Sequence, residues 1–154
     1  MKERYLNTIS IEIFRPDLTT TIEVPYFDGG VQAGFPSPAD DFQELKISLD
    51  KLVFGTSPST TFCARVRGFS MKGAGIEDGD IIIVDRSLKA KNGNIAVCLI
   101  YDEFTLKRLQ VENDCVWLLP ENESYDPIQI TDNESFQVWG IATFNLKDLL
   151  INKI

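Results

Sequence analysis

Short stretches in which apolar and polar residues alternate, each closed by turn-forming residues, constrain the fold of this chain more than any other feature. Strand side chains point to opposite faces with a period of two, so Ile9, Ile11 and Ile13 alternating with Ser10 and Glu12 predict an extended segment. A turn at Pro16-Asp17 leads to a second extended piece around Thr20 to Val24. Further strand candidates cover residues 61–66, 81–84, 94–100, 104–109, 116–119, 128–130 and 136–142. Asp78-Gly79, Asn92-Gly93 and the stretch Pro120 to Pro127 supply the turns between them. The body is therefore mainly β, with no internal repeat.

The segments around this body are less regular. Between Asp28 and Pro38 the composition shifts to Gly29, Gly30, Ala33, Gly34, Pro36 and Pro38, which predicts an exposed linker behind an extended N-terminal arm. Residues 41–52 carry Phe42, Leu45, Ile47, Leu49 and Leu52, compatible with a short helix or a helix running into a strand. In the tail, Leu146, Leu149, Leu150 and Ile151 allow a helical turn or a packed strand.

Composition excludes several functions. With 15 basic against 23 acidic residues the net charge is -8, and no basic patch offsets it, so direct binding of a nucleic-acid backbone is not expected. The longest apolar run, Ile95 to Tyr101, spans seven residues against the roughly 18 needed to cross a bilayer. The first residues, Met1-Lys2-Glu3-Arg4-Tyr5, lack the apolar region of a secretion signal, and a cytoplasmic protein is expected. The three cysteines, Cys63, Cys98 and Cys115, form no CxxC pair, and with no histidine in the chain a structural metal site is not expected. Glu77, Asp78 and Asp80 flank the turn glycine Gly79 and lack the ligand spacing of a calcium loop.

The absence of histidine also narrows the available chemistry. It removes the arrangement in which an imidazole takes a serine proton and leaves lysine-assisted nucleophilic catalysis open. Ser70 lies in Gly68-Phe69-Ser70-Met71, a glycine-containing loop after a strand, where main-chain N–H groups are free to face a carbonyl. Lys107 lies in the strand Glu103 to Leu109 next to Arg108, so one of two adjacent basic side chains must point inward or toward an edge. A desolvated ammonium loses its proton at moderate pH, whereas a guanidinium does not, so only Lys107 qualifies as a base. Each residue alone also fits an ordinary turn serine or a solvated strand lysine.

Several blocks together resemble the LexA/UmuD family of self-cleaving serine-lysine peptidases. Val31-Gln32-Ala33-Gly34-Phe35-Pro36-Ser37-Pro38-Ala39 is similar to the family's cleavage region, and Gly68 to Met71 to its nucleophile loop. Glu77-Asp78-Gly79-Asp80 with Ile81 to Asp85 resembles the segment that follows, and Phe104-Thr105-Leu106-Lys107-Arg108-Leu109 the lysine strand. Leu118-Leu119-Pro120 through Asn122, Tyr125, Pro127 and Ile128 resembles the next turn.

The resemblance implies the family's C-terminal-domain fold of short, mostly antiparallel strands, with Ser70 as nucleophile and Lys107 as neutral general base. It implies cleavage of the chain's own Ala33-Gly34 bond, with the main-chain N–H groups of Phe69 and Ser70 holding the oxyanion and with neither metal nor cofactor. Residues 1–33 would be the arm removed and 34–154 the peptidase-like domain. UmuD-type chains carry cysteine where this one has Ala33, but LexA-like chains cut Ala-Gly. Only 33 residues precede the cut and they are patterned as strands, which points away from the repressors' helix-turn-helix domain and toward the UmuD type. That type implies a homodimeric SOS mutagenesis protein activated by a RecA-DNA filament and serving a Y-family polymerase subunit of UmuC type in translesion synthesis. A non-catalytic dimeric accessory protein of the same fold is the alternative.

Overall fold

The computed structural model describes residues 11–19, 23–27, 44–55, 58–131 and 135–150. In chain order its elements are β1 (Glu12–Phe14), β2 (Glu23–Phe27), β3 (Glu44–Ser48), α1 (Leu49–Phe54), β4 (Thr61–Arg65), β5 (Ile81–Asp85), β6 (Ile95–Ile100), β7 (Glu103–Val111), β8 (Val116–Leu119), β9 (Ile128–Ile130) and β10 (Phe136–Leu146). They fall into two compact units, Met1–Pro16 with Ser59–Ile154, and Asp17–Pro58. The Ala33-Gly34 bond lies outside the described residues.

The larger unit is one sheet of eight strands in the order β1-β4-β5-β10-β6-β7-β8-β9, every neighbouring pair antiparallel. The mainly β architecture expected from the residues is the one observed, with the antiparallel pairing that the family resemblance implies. Strand β6 shows why these sequences form it. Its run Ile-Ala-Val-Cys-Leu-Ile is apolar throughout, as a strand covered on both faces requires. Ala96, Cys98 and Ile100 enter a cluster with Leu109, Leu118, Ile130 and Ile141, whereas Val97 enters a second with Ala64, Val66, Met71, Ile82, Val84 and Leu106. Each fully buried Ile or Leu contributes about 1.5–3 kcal/mol relative to exposure, so these two clusters hold the sheet.

Strand β10 joins the halves, pairing with β6 through its first part and with β5 through its second. Trp139 and Thr143 are inserted between paired residues, so two bulges interrupt the ladder. The bulges break the period of two, which is why the alternation stops near Ala142 while the strand runs to Leu146. Gly140 lies beside the first bulge, where a Cβ would sit 2.5 Å from Val84 Cγ1.

In the smaller unit β2 and β3 pair antiparallel. The pattern of residues 41–52 is compatible with a helix or a helix running into a strand; the described part runs the other way, strand β3 and then helix α1. Leu45 and Ile47 alternate with Lys46 and Ser48, a strand period, and Ser48 takes the N-cap position with its hydroxyl donating to Asp50. Gly55, at φ +60°, ends the six-residue helix.

Candidate active site

Ser70 is positioned by a loop between β4 and β5 that is fastened at both ends. As the chain leaves β4, the Val66 N–H donates to the Asp80 carbonyl and the Gly79 N–H donates back to the Val66 carbonyl, both at 2.8 Å. Gly68 adopts φ +92°, a conformation that side chains disfavour, and its N–H donates to Asp78 Oδ1 at 2.7 Å. Met71, fully buried, pins the loop to the core, and a 3-10 turn at Lys72–Ala74 follows.

The segment after β8 holds the other side of this loop. The Glu121 N–H donates to the Ser70 carbonyl at 2.7 Å, and Asn122 Nδ2 donates to the Phe69 carbonyl at 2.9 Å. The Gly73 N–H donates to the Glu121 carbonyl at 2.6 Å, an approach so close that a Cβ on Gly73 would sit 2.5 Å from that oxygen. Both carbonyls are thereby occupied. The main-chain N–H groups of Phe69 and Ser70 meet no partner among the described residues.

Lys107 reaches the same place from β7. Its cross-strand neighbour is Ala96, and Thr105, on the same face, is opposite Cys98. These small residues leave volume for the lysine stem inside the sheet. Lys107 is 3% exposed and Ser70 not at all, and Nζ lies 3.0 Å from Ser70 Oγ. It lies also 3.0 Å from Thr105 Oγ1 and 3.1 Å from the Leu106 carbonyl oxygen.

Burial brings the Lys107 amine down from 10.5 to about 8, because an ammonium here is cut off from water. Among the described residues no carboxylate is a hydrogen-bond partner of this amine. The neighbouring Cys98 thiol, itself pushed up to about 12 by burial, is uncharged when the lysine titrates and supplies no anion. A neutral amine has two hydrogens and one lone pair. With the hydrogens on Leu106 O and Thr105 Oγ1, the lone pair is left for the Ser70 hydroxyl, the orientation a general base needs.

The structure brings together Ser70, Lys107 and the loop N–H groups, and leaves Cys63 and Cys115 out of the constellation. Thr105, Glu121 and Asn122 escaped sequence reasoning as site members. Thr105 carried a signal, two residues before Lys107 on the same strand face. Asn122 carried none beyond its place in a recognisable turn. Among the described residues no cluster of His, Cys, Asp and Glu could hold a metal ion, and no helix is long and apolar enough to cross a membrane.

Ser70 and Lys107 thus form a buried hydroxyl facing a buried, proton-poor amine, the arrangement that lysine-assisted nucleophilic chemistry requires. The chain matches the family Peptidase S24-like over residues 25–143 and belongs to it. It is 37% identical over 141 residues to Protein MucA of Salmonella typhimurium and to Protein MucA of Escherichia coli, covering 90% of this chain and 94% of each relative. It is also 40% identical over 114 residues to the LexA repressor of Bordetella pertussis, spanning 74% of this chain and 52% of that repressor.

Proposed function

We propose that this protein is a serine peptidase whose substrate is its own Ala33-Gly34 bond, with Ser70 as nucleophile and Lys107 as general base. The observation that carries the reading is the 3.0 Å separation of Lys107 Nζ and Ser70 Oγ, both buried. Lys107 takes the Ser70 proton as Oγ bonds to the Ala33 carbonyl carbon, and the carbonyl π pair moves onto oxygen, facing the Phe69 and Ser70 N–H groups. Collapse of this intermediate breaks the bond to Gly34 nitrogen, which leaves with the proton held by Lys107. Water, deprotonated by the same amine, then hydrolyses the ester on Ser70. The products are residues 1–33 with a new carboxylate and 34–154 with a new amine.

Because nucleophile and scissile bond share one chain, effective concentration replaces substrate affinity, and docking of the arm is open to control by a partner. A RecA-DNA filament is the activator in this reading. The near full-length likeness to MucA supports the UmuD type, in which 34–154 acts as a homodimeric accessory subunit of a UmuC-type, Y-family polymerase in cytoplasmic SOS mutagenesis. Purified protein incubated at pH 9, or with an activated RecA filament, should yield a mass beginning at Gly34. The product should be absent from Ser70→Ala and Lys107→Ala. An intact wild-type chain under both conditions supports the non-catalytic accessory role instead.

A further inference from the structure

We propose that Asn122 is a positioning residue that aims the Ser70 main-chain N–H at the developing oxyanion, an inference that rests on the peptidase reading above. In a trans peptide the carbonyl and the N–H of one peptide unit point in opposite directions. The carbonyl of Phe69 and the N–H of Ser70 form one such unit. Fixing the carbonyl therefore fixes the N–H on the opposite side. Asn122 Nδ2 does so at 2.9 Å, assisted by the Lys72 N–H at 3.2 Å. Were this peptide to rotate, its carbonyl oxygen would face the oxyanion position and oppose the charge it should stabilise.

Asn122 is itself well anchored. Its Oδ1 accepts the Ser124 N–H at 3.0 Å, closing a local turn. The preceding Glu121 pairs through its carboxylate with Arg108 Nε, and Arg108 Nη1 donates to the Gly93 carbonyl at 2.8 Å. Arg108 directly follows Lys107 on β7. The strand that delivers the base thus also anchors the segment that orients the oxyanion peptide, so the two halves of the site are held in one register.

Two substitutions separate this role from turn formation. Asn122→Asp keeps the oxygen that accepts the Ser124 N–H and loses the donor to Phe69, and Asn122→Ser keeps an acceptor for that turn on a shorter side chain whose hydroxyl lies one bond nearer the backbone than Nδ2 does, without adding charge. Self-cleavage of both is to be measured without activator from pH 6 to 10, with melting temperature as the folding check. Losing one oxyanion donor outright costs about 10²–10³-fold. Because Lys72 still holds the Phe69 carbonyl, a plateau rate lowered about tenfold or more is expected, with the pH midpoint unmoved in Asn122→Ser. Wild-type plateau rates in both variants, or a moved midpoint with an unchanged plateau in Asn122→Ser, overturn the inference. A wild-type chain that never cleaves sinks the peptidase reading, and the positioning role with it.

Discussion

Lys107 Nζ lies 3.0 Å from Ser70 Oγ, and among the described residues its hydrogen-bond partners are two hydroxyls and a carbonyl, with no carboxylate. Neutral acceptors do little to retain a proton against the cost of desolvation, and the amine titrates near 8. The same burial that lets the amine lose its proton makes the ammonium form costly to fold around.

Cleavage without activator should follow the fraction of neutral Lys107. Its rate should rise about tenfold per pH unit below the midpoint near 8 and flatten above it. Product appearance followed by mass spectrometry from pH 6 to 10 checks this. Lys107→Arg should abolish cleavage at every pH, because a guanidinium remains protonated. A flat wild-type profile across that range would exclude Lys107 as the base.

The folded state should gain stability as pH rises from 7 to 10. Lys107 binds its proton less tightly when folded, near 8, than the ordinary value of 10.5, so between those values the unfolded chain holds more protons. Stability contributed by this group is therefore lowest below 8 and recovers toward 10.5. Relative to Lys107→Met, which does not titrate, wild type should gain about 2 kcal/mol between pH 7 and 10. Urea denaturation of both proteins at the two pH values measures the difference; parallel stabilities would show that the amine titrates normally.

The body of the fold was legible because its strands are short and closed by turn residues: β5 and β6 read as apolar runs of strand length, and β7 opens with the period of two, Phe104 and Leu106 alternating with Thr105 and Lys107. Legibility stopped where the backbone departs from that period. The bulges at Trp139 and Thr143 hid the second half of β10, and a strand of ordinary composition preceding α1 was open to two readings. In the site, Ser70 and Lys107 were marked by residue type, since chemistry needs a hydroxyl and a titratable amine. Asn122 was not, because its contribution is a bond to a main-chain carbonyl that no local pattern encodes.

Gly68→Ala should impair cleavage more than stability. At φ +92° an alanine is strained, at a cost of about 1–3 kcal/mol, and the loop can relieve it by turning the peptide that leads into Phe69 and Ser70. Gly75 is the control, with φ +76° and open space where an alanine methyl would stand. Gly75→Ala should lose comparable stability by thermal melting and keep cleavage within about threefold, whereas Gly68→Ala should lose about tenfold or more. Equal losses of cleavage in the two would remove the special role of the Gly68 backbone.

Asp80 ties the Ser70 loop to the end of β10, and its removal should loosen both. Burial alone would raise its pKa, but Lys147 Nζ at 2.8 Å, the Glu77 N–H at 2.9 Å and Asn145 Nδ2 at 2.9 Å all donate to Oδ2. These bonds prevail and hold the carboxyl below 3.8. Asp80→Asn keeps the shape but gives up the charge that Lys147 approaches, for an expected loss of about 2 kcal/mol at pH 7. A depressed carboxyl contributes stability above its ordinary value and loses it as pH falls through the folded one. The advantage of wild type over Asp80→Asn should therefore be constant above about pH 5 and shrink steadily toward about pH 3. Since the Asp80 carbonyl also receives the Val66 N–H at the root of the Ser70 loop, the variant should cleave more slowly at pH 9 as well. A variant as stable as wild type at pH 7, with the same acid transition, would show that the buried carboxylate carries no net stabilisation.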